Sequence, residues 1–340
     1  MLNQIDQTIS LGRRRGIARI ADEHGIFRIT ALDHRGTLKS MLKRCISSEN
    51  PSWEDIVSEK VRLAKALLSH SSAVLLDPNY GLGPLIERDV IPPSVGILVA
   101  CEQSGYEEIN HTRITVLQPG WSIEAIKRAG GDAVKLLLFY NPRAPEAERQ
   151  ERLVEDVAKE CRRNDLPLIL EPIVYPVTPG QKKSEPEFAD SLPRLVIESA
   201  RRLVPLGVDV LKAEFVVDVT RERDEHKIRD AYAELSETAR VPWVLLSGGA
   251  DFATFQRQFE FACEAGASGF LAGRAIWQDA MDHADPSDRE RFLNRVAVGR
   301  LKRLNAIASS LATPLQQRLP KDALTTLGEG WHEKYAIRSH

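Results

Sequence analysis

Two lysines within apolar runs are the residues of this chain best suited to chemistry. Lys135 lies in AVKLLLF and Lys212 in VLKAEF, although lysine is almost never fully buried unless it is paired. Two neighbouring ammonium groups repel, and partial burial acts in the same direction. We therefore expect the pKa of at least one of them to lie below the ordinary value of about 10.4. A neutral amine can form a Schiff base with a carbonyl; the alternative is that each lysine is tied to a carboxylate for structural reasons.

Polar residues also end most of the other apolar runs. They are Asp33, His34, Arg35, Asp77, Glu102, Glu171, Glu214, Ser247 and Arg274. For Asp77 and Glu102 alone, capping of a helix or pairing with a basic neighbour is the simpler interpretation. His34 is the one histidine in a plausible site position, and there it is more typical of a hydrogen-bonding group than of a metal ligand.

Two glycine-containing turns predict a binding site for an anion. LLSGG (245–249) and LAGR (271–274) each follow an apolar run, and glycine lets backbone N–H groups approach phosphate oxygens. Arg274 would add a charge-assisted contact. Gly248 and Gly273 could instead serve backbone geometry alone, but the two turns together favour a phosphate site.

Eight short apolar runs must position these residues. Each is continuously apolar, as in a parallel strand that is buried on both faces. The runs are FRITALD (27–33), SAVLLD (72–77), GILVAC (96–101), DAVKLLLFY (132–140), LPLILEP (166–172), GVDVLKAEF (207–215), VPWVLLSGG (241–249) and ASGFLAGR (267–274). Helical patterns alternate with them, which favours a closed (β/α)8 TIM barrel with its reactive groups at the carboxyl ends of the strands.

The sequence also predicts the boundaries of the domain that contains this barrel. We expect one α/β domain over residues 1–340, with the barrel core at about 15–282 and a C-terminal helical extension and tail over 283–340. A terminal helix is expected from 296 to about 312. Pro176 to Pro193 is a polar connection after the fifth run, of the kind that covers a site or contacts a neighbour.

Composition excludes several classes of protein. With 46 Lys and Arg against 48 Asp and Glu, the formal charge is -2, so no basic footprint for nucleic acid is present, while a small anion remains possible. No apolar stretch has the length of a signal peptide or a membrane span. Four widely spaced cysteines favour neither a disulfide scaffold nor a zinc cluster, and we expect a cytoplasmic protein.

Other catalytic chemistries find little support. The eight histidines show no metal-binding spacing, so we expect neither a metal nor a cofactor. The nucleophile elbow of α/β-hydrolases, G-x-S-x-G, is missing from the sequence. The glycine-rich turn of dinucleotide-binding folds does not follow the first run.

An ordered set of motifs resembles one known family. ITALDHRGTLK, LLDPNYGL, ACEQSGYE, AVKLLLFYNP, LILEP, DVLKAE, VLLSGGADFATFQ and LAGRAIWQDA are similar to the class I tagatose 1,6-bisphosphate aldolases, a family that includes sulfofructose-phosphate aldolases. The likeness runs from about residue 15 to 282. It implies a (β/α)8 barrel that cleaves a ketose phosphate through a lysine Schiff base without a metal, and it makes a homo-oligomer plausible.

The resemblance also implies roles for individual residues. The Schiff-base lysine falls on Lys212 and the catalytic acid and base on Glu171. Lys135 and Asp33 match groups that hold substrate hydroxyls and tune the lysine, and Ser247, Gly248 and Arg274 match phosphate-binding residues. His34 stands where many members have glutamine, and LSGG stands where many have LSAG. His34, Arg35 and Gly273 complete the predicted substrate-binding set.

The implied activity is cleavage of a ketose 1,6-bisphosphate, such as tagatose 1,6-bisphosphate, to dihydroxyacetone phosphate and glyceraldehyde 3-phosphate. Within the family, the alternative is a sulfofructose-1-phosphate aldolase that releases sulfolactaldehyde. From other classes, the alternatives are a barrel decarboxylase or isomerase in which Lys212 only donates a proton, and an inactive barrel that binds sugar phosphates.

Overall fold

A computed structural model describes residues 9–46, 49–319 and 327–337. Its centre is a closed parallel barrel of strands β1 (Phe27–Ala31), β2 (Ala73–Leu76), β3 (Gly96–Ala100), β6 (Ala133–Phe139), β7 (Leu168–Ile173), β8 (Val210–Ala213), β9 (Trp243–Leu246) and β10 (Gly269–Ala272). Around the barrel the strand order is β1-β10-β9-β8-β7-β6-β3-β2. The predicted TIM barrel is confirmed.

Burial of both faces explains why the strands are continuously apolar. Every residue of β2, β8, β9 and β10 is buried, because one face fills the barrel and the other packs under the helices. Lys212 belongs to β8 and Lys135 to β6, so both predicted lysines are built into the rigid part of the molecule.

Helices surround the barrel. They are α1 (Leu11–Arg19), α2 (Gly36–Cys45), α3 (Trp53–Leu67), α4 (Leu82–Glu87), α5 (Ile123–Arg128), α6 (Ala147–Arg163), α7 (Pro186–Leu203), α8 (Glu225–Ala239), α9 (Phe252–Glu264), α10 (Arg274–Trp277), α11 (Pro286–Phe292), α12 (Val298–Leu311), α13 (Leu315–Arg318) and α14 (Trp331–Ile337). Side-chain caps begin several of them; Asp251, for example, accepts a hydrogen bond from the backbone N–H of Thr254 at the start of α9.

Two segments differ from the sequence-based expectation. The polar connection predicted from Pro176 to Pro193 ends early, because α7 begins at Pro186, where proline suits the first turn of a helix. A short antiparallel hairpin, β4 (Glu107–Ile109) with β5 (Thr112–Ile114), leaves the barrel after β3 and was not predicted.

The C-terminal extension consists of helices, as predicted, with α12 in place of the helix expected from 296 to about 312. Much of the expected tail, residues 320–326 and 338–340, lies outside the described residues. The assignment of the chain to one domain stays a prediction.

Helix α1 closes the end of the barrel where the strands begin. Gly16 packs so closely on the backbone of Asp132 and the ring of Pro167 that a Cβ there would clash. Arg13 Nη2 lies 2.6 Å from Asp209 Oδ1, just before β8, and both side chains are buried. Tyr335 of α14 reaches the same end, where its hydroxyl accepts a hydrogen bond of 3.1 Å from Gly12 N.

Within the three described ranges, no helix combines the length and the apolar character that crossing a membrane requires.

Candidate active site

The ten site residues predicted from sequence line one cavity. This cavity of about 500 Å³ opens at the carboxyl ends of the barrel strands, an end that we call the mouth. It is lined by Asp33, His34, Arg35, Lys135, Glu171, Lys212, Ser247, Gly248, Gly273 and Arg274. They come from distant parts of the sequence and meet because parallel strands end at the same edge of a barrel.

Lys135 is the buried centre of the site. Its Nζ lies 2.9 Å from Asp33 Oδ2, 2.8 Å from Glu102 Oε1 and 2.9 Å from Glu171 Oε2. Burial alone would lower its pKa, but the three carboxylates together raise that pKa well above its ordinary value. Lys135 is therefore not a lysine with a lowered pKa, and it remains an ammonium ion near neutral pH.

Lys212 has a different environment. Its Nζ lies 2.8 Å from Glu171 Oε2, its one ion pair within the described residues, and its side chain is 5% exposed. The same oxygen of Glu171 thus receives both ammonium groups. Lys212 therefore faces one shared carboxylate, while Lys135 has three.

The carboxylates beside the lysines remain charged. Burial would raise the pKa of Asp33 and of Glu171, but Lys135 and Lys212 lower both values below the ordinary range. Neither approach to Glu171 Oε2 has the geometry of a hydrogen bond, so this buried oxygen has charge contacts but no directed donor among the described residues. It is a charged acceptor at the floor of the cavity.

His34 is held as a neutral imidazole. Burial lowers its pKa to about 3, because the nearby Asp33 does not offset the loss of hydration and the cations Arg274, Lys60 and Lys212 oppose protonation. The ring makes an edge contact with Trp277, with centroids 5.2 Å apart. Its Nδ1 is buried and has no hydrogen-bond partner in the described part of the chain, so it can bind a polar group of a ligand.

The turns after β9 and β10 meet at Arg274. Gly248 and Gly249 have φ values of 58° and 86°, a region that favours glycine. A Cβ on Gly249 would lie 2.9 Å from Arg274 Nη1, and a Cβ on Gly273 would lie 2.8 Å from His34 Cε1. The guanidinium therefore rests against glycine backbone, and its buried Nε has no partner among residues that the structure describes.

Three further charged residues line the cavity beyond the predicted set. Glu102 accepts a hydrogen bond from Leu137 N and pairs with Lys135. It therefore is the partner of a basic residue, as considered above, but this basic residue belongs to the candidate site. Glu214, near the end of β8, pairs with Lys183 from the loop between β7 and α7. The polar composition of that loop was the only sequence signal for Lys183.

Asp77 also has the structural role that was considered for it, but away from the cavity. It pairs with the buried Lys60 and caps the backbone N–H groups of Asn79 and Tyr80. It does not line the cavity. Within the described ranges, no group of three or more His, Cys, Asp or Glu side chains is arranged to hold a metal ion.

Comparison with known proteins adds a family to this geometry. The model of the DeoC/LacD family aldolases matches residues 4–279. Tagatose 1,6-diphosphate aldolase 1 of Enterococcus faecalis (strain ATCC 700802 / V583) is 32% identical over 287 residues, which cover 80% of this chain and 86% of that protein. Tagatose 1,6-diphosphate aldolase of Streptococcus agalactiae serotype V is 30% identical over 328 residues, with coverage of 90% and 98%.

Several solved structures of similar shape are aldolases. A Schiff-base-forming fructose-1,6-bisphosphate aldolase superposes with a TM-score of 0.55 at 19% identity and covers 87% of this chain and 98% of its own. A fructose-bisphosphate aldolase of Plasmodium falciparum gives 0.65 at 16% identity, with coverage of 88% and 94%. At such identities the likeness supports the barrel fold alone.

Family membership therefore rests on the sequence matches. They span most of the chain and confirm the predicted enzyme class, an aldolase, and the resemblance on which that prediction depended. This chain belongs to the DeoC/LacD family of aldolases.

Proposed function

We propose that this protein is a class I aldolase that cleaves a ketose 1,6-bisphosphate such as tagatose 1,6-bisphosphate to dihydroxyacetone phosphate and glyceraldehyde 3-phosphate. The observation that carries the proposal is the pair of unequal lysines at the mouth: Lys135 is surrounded by three carboxylates, and Lys212 has one shared partner. Relatives with 30–32% identity named tagatose 1,6-diphosphate aldolase support the choice of sugar.

Lys212 is the better nucleophile of the two. Only an unprotonated amine attacks a carbonyl, and three surrounding carboxylates oppose loss of the proton from Lys135. Lys212 has only the one shared carboxylate beside it within the described residues, so it is the lysine that we assign to the attack on the ketone.

The first half of the reaction is formation of the imine. The nitrogen of Lys212 attacks the ketone carbon, the carbonyl oxygen takes up protons and leaves as water, and a protonated imine remains. Glu171, 2.8 Å from Lys212 Nζ, is the nearest group that can accept and return those protons. Asp33 offsets the positive charge and orients substrate hydroxyls.

The second half is cleavage of the carbon–carbon bond. Glu171, directly or through a water molecule, removes the proton from the hydroxyl on the carbon beyond the scissile bond, and that carbon becomes the aldehyde. The bonding electrons move into the iminium and give an enamine. Protonation of the enamine and hydrolysis of the imine then release dihydroxyacetone phosphate and regenerate Lys212.

The turns at Arg274 anchor a phosphate in this proposal. Ser247, Gly248 and Arg274 line one side of the cavity, where the backbone of Gly249 packs against the guanidinium. A charge-assisted contact there would hold the ketone carbon within bonding distance of Lys212. His34 and Arg35 complete the wall toward β1 and would contact the rest of the sugar.

We further propose a cytoplasmic homo-oligomer as the working form. Cys45, Cys101, Cys161 and Cys263 are free and buried, which suits a reducing compartment. Light scattering on the purified protein measures the oligomeric state.

Reductive trapping tests the function. Borohydride added with dihydroxyacetone phosphate should leave a covalent adduct, located by peptide mass spectrometry on Lys212. An adduct on another lysine, or none, would contradict the mechanism and favour a decarboxylase or isomerase in which Lys212 stays unmodified.

Two further measurements complete the test. Chelators should leave the cleavage rate unchanged. Turnover of tagatose and fructose 1,6-bisphosphates and of sulfofructose 1-phosphate then identifies the sugar.

A further inference from the structure

The loop between β7 and α7 brings a cation to the rim of the cavity. Lys183 of this loop lines the cavity, its side chain is 41% exposed, and its ammonium pairs with Glu214 Oε1. Glu214 is held independently, because its Oε2 accepts a hydrogen bond of 2.7 Å from Val174 N at the start of the same loop. Lys183 is therefore fixed at the rim by a buried carboxylate.

Availability to a second anion separates Lys183 from the other cations of the cavity. Lys135 is occupied by three carboxylates, Lys212 is the proposed nucleophile, and Arg274 belongs to the anion site after β9 and β10. Two cations remain.

Arg35 and Lys183 differ in how exposed they are to an entering ligand. The Arg35 side chain is 9% exposed, lies 3.7 Å from Glu102 Oε1 and makes long contacts of 3.4 Å to Asn79 Oδ1 and Gln118 Oε1. Lys183 has Glu214 as its one partner in the described ranges. An ammonium group has three donors, so Lys183 keeps two for a ligand.

The order of the strands gives a direction to the substrate. Neighbours around the barrel run β10, β9, β8, β7. One anion is placed at β9 and β10, the ketone at Lys212 of β8, and the hydroxyl beyond the scissile bond at Glu171 of β7. Lys183 lines the cavity from the loop that follows β7, and its partner Glu214 follows β8, two strands away from the β10 turn that carries Arg274.

We propose that Lys183 binds the second anionic group of the substrate, a tetrahedral oxyanion at the end remote from Arg274, and so selects the aldehyde half. The assignment rests on the proposed function, since it requires a substrate with an anion at each end. Phosphate and sulfonate share the required chemistry.

Condensation with different aldehydes isolates this contact. In that direction, a carbon–carbon bond forms between the enamine carbon of dihydroxyacetone phosphate and the aldehyde carbon, and the aldehyde oxygen takes up a proton. The Schiff-base half stays constant while the aldehyde is glyceraldehyde 3-phosphate or glyceraldehyde. The readout is the ratio of the two kcat/KM values, which measures recognition of the aldehyde's anion.

We expect K183M to lower this ratio by about tenfold or more, because a hydrogen bond to a charged group is lost. K183R, which keeps the charge, should stay close to the wild-type ratio. K182M is the matched control, because Lys182 is the exposed neighbour in the same loop and does not line the cavity. Sulfolactaldehyde as a third aldehyde distinguishes a sulfonate from a phosphate as the preferred anion.

An unchanged ratio in K183M would overturn the assignment of the second anion to Lys183. If the ratio fell in R35M instead, Arg35 would be the residue that binds this anion. A parallel loss with both aldehydes would also overturn it, because Lys183 would then act on the loop and not on the anion. Borohydride trapping of dihydroxyacetone phosphate on Lys212 is measured in the same variants. If the adduct forms, the proposed function holds and the ratio tests Lys183 alone; if no adduct forms even in the wild type, the proposed function has failed.

Discussion

The two ends of the barrel both bury charges, but they satisfy them differently. At the closed end, Asp209 Oδ1 lies 2.6 Å from Arg13 Nη2, and Oδ2 accepts from Leu168 N at 2.9 Å. At the mouth, one oxygen of Glu171 receives two ammonium groups without a directed hydrogen bond. The closed end uses its donors and acceptors within the protein, whereas the mouth keeps some for a ligand.

The balance between burial and neighbouring cations also separates the two ends. Burial raises the pKa of Asp209, and the charges of Arg13 and Arg162 only partly offset this effect. Burial acts in the same way on Asp33, but there Lys135 and Lys212 outweigh it and lower the pKa. At the closed end burial outweighs the neighbouring cations, whereas at the mouth the cations outweigh burial and keep a charged site suited to catalysis.

The sharpest test of this comparison is removal of the mouth nucleophile. K212A should lower the cleavage rate by on the order of 10⁴-fold or more, because the covalent route is lost. Urea unfolding should show a folded protein, since alanine leaves Glu171 paired with Lys135. Wild-type turnover in this variant would refute the Schiff-base mechanism.

At the closed end, R13M should instead affect stability. It leaves Asp209 buried without its charge partner, so the free energy of unfolding should fall by about 3–5 kcal/mol. The KM of the remaining folded enzyme should not change, because this pair lies across the barrel from the cavity. R14M, at the exposed neighbouring position, is the control in urea unfolding; equal stability of R13M and R14M would contradict the structural role.

A smaller effect is expected at the phosphate turn. R274A should raise the KM for the bisphosphate about tenfold or more, as a hydrogen bond to a charged group is lost, with a lesser effect on kcat. Steady-state kinetics measures both constants. R303A, on the exposed side of α12, is the matched control, and an unchanged KM in R274A would place the anion elsewhere.

The smallest effect concerns pH. The unfolded chain protonates His34 at about pH 6.5, but the folded protein does so only at about 3. Falling pH within this window therefore favours the unfolded chain, and stability due to neutral His34 is lost. Relative to H34Q, the wild type should lose about 1 kcal/mol of unfolding free energy between about pH 6.5 and 5.5.

Denaturant unfolding at several pH values gives this difference directly. H24Q, which alters an exposed histidine, should show no comparable pH-dependent difference from the wild type. A constant difference between the wild type and H34Q would mean that His34 gains a proton in the folded protein as readily as in the unfolded chain.

The sequence predicted the barrel and ten of the residues that line the cavity, because strand ends in a barrel meet at one edge. A buried parallel strand leaves a continuous apolar run, so a lysine or glutamate within or at the end of such a run is conspicuous, as Lys135, Glu171 and Lys212 are. Their roles in catalysis stay predictions until the experiments above are done.

Three features could not be predicted, for physical reasons. The raised pKa of Lys135 depends on carboxylates that follow or belong to three other strands and meet only after closure of the barrel. The contact of Lys183 depends on the path of an irregular loop without periodicity. The hairpin at 107–114 has strands of three residues each, too short for an alternating pattern to stand out.

The hydrogen bond between Gly12 and Tyr335 has a practical consequence. It brings the first and last helices of the described chain together on the side opposite the substrate entrance. A cross-link engineered between these two helices would therefore lie away from the substrate entrance, and sugars would still diffuse freely into the barrel.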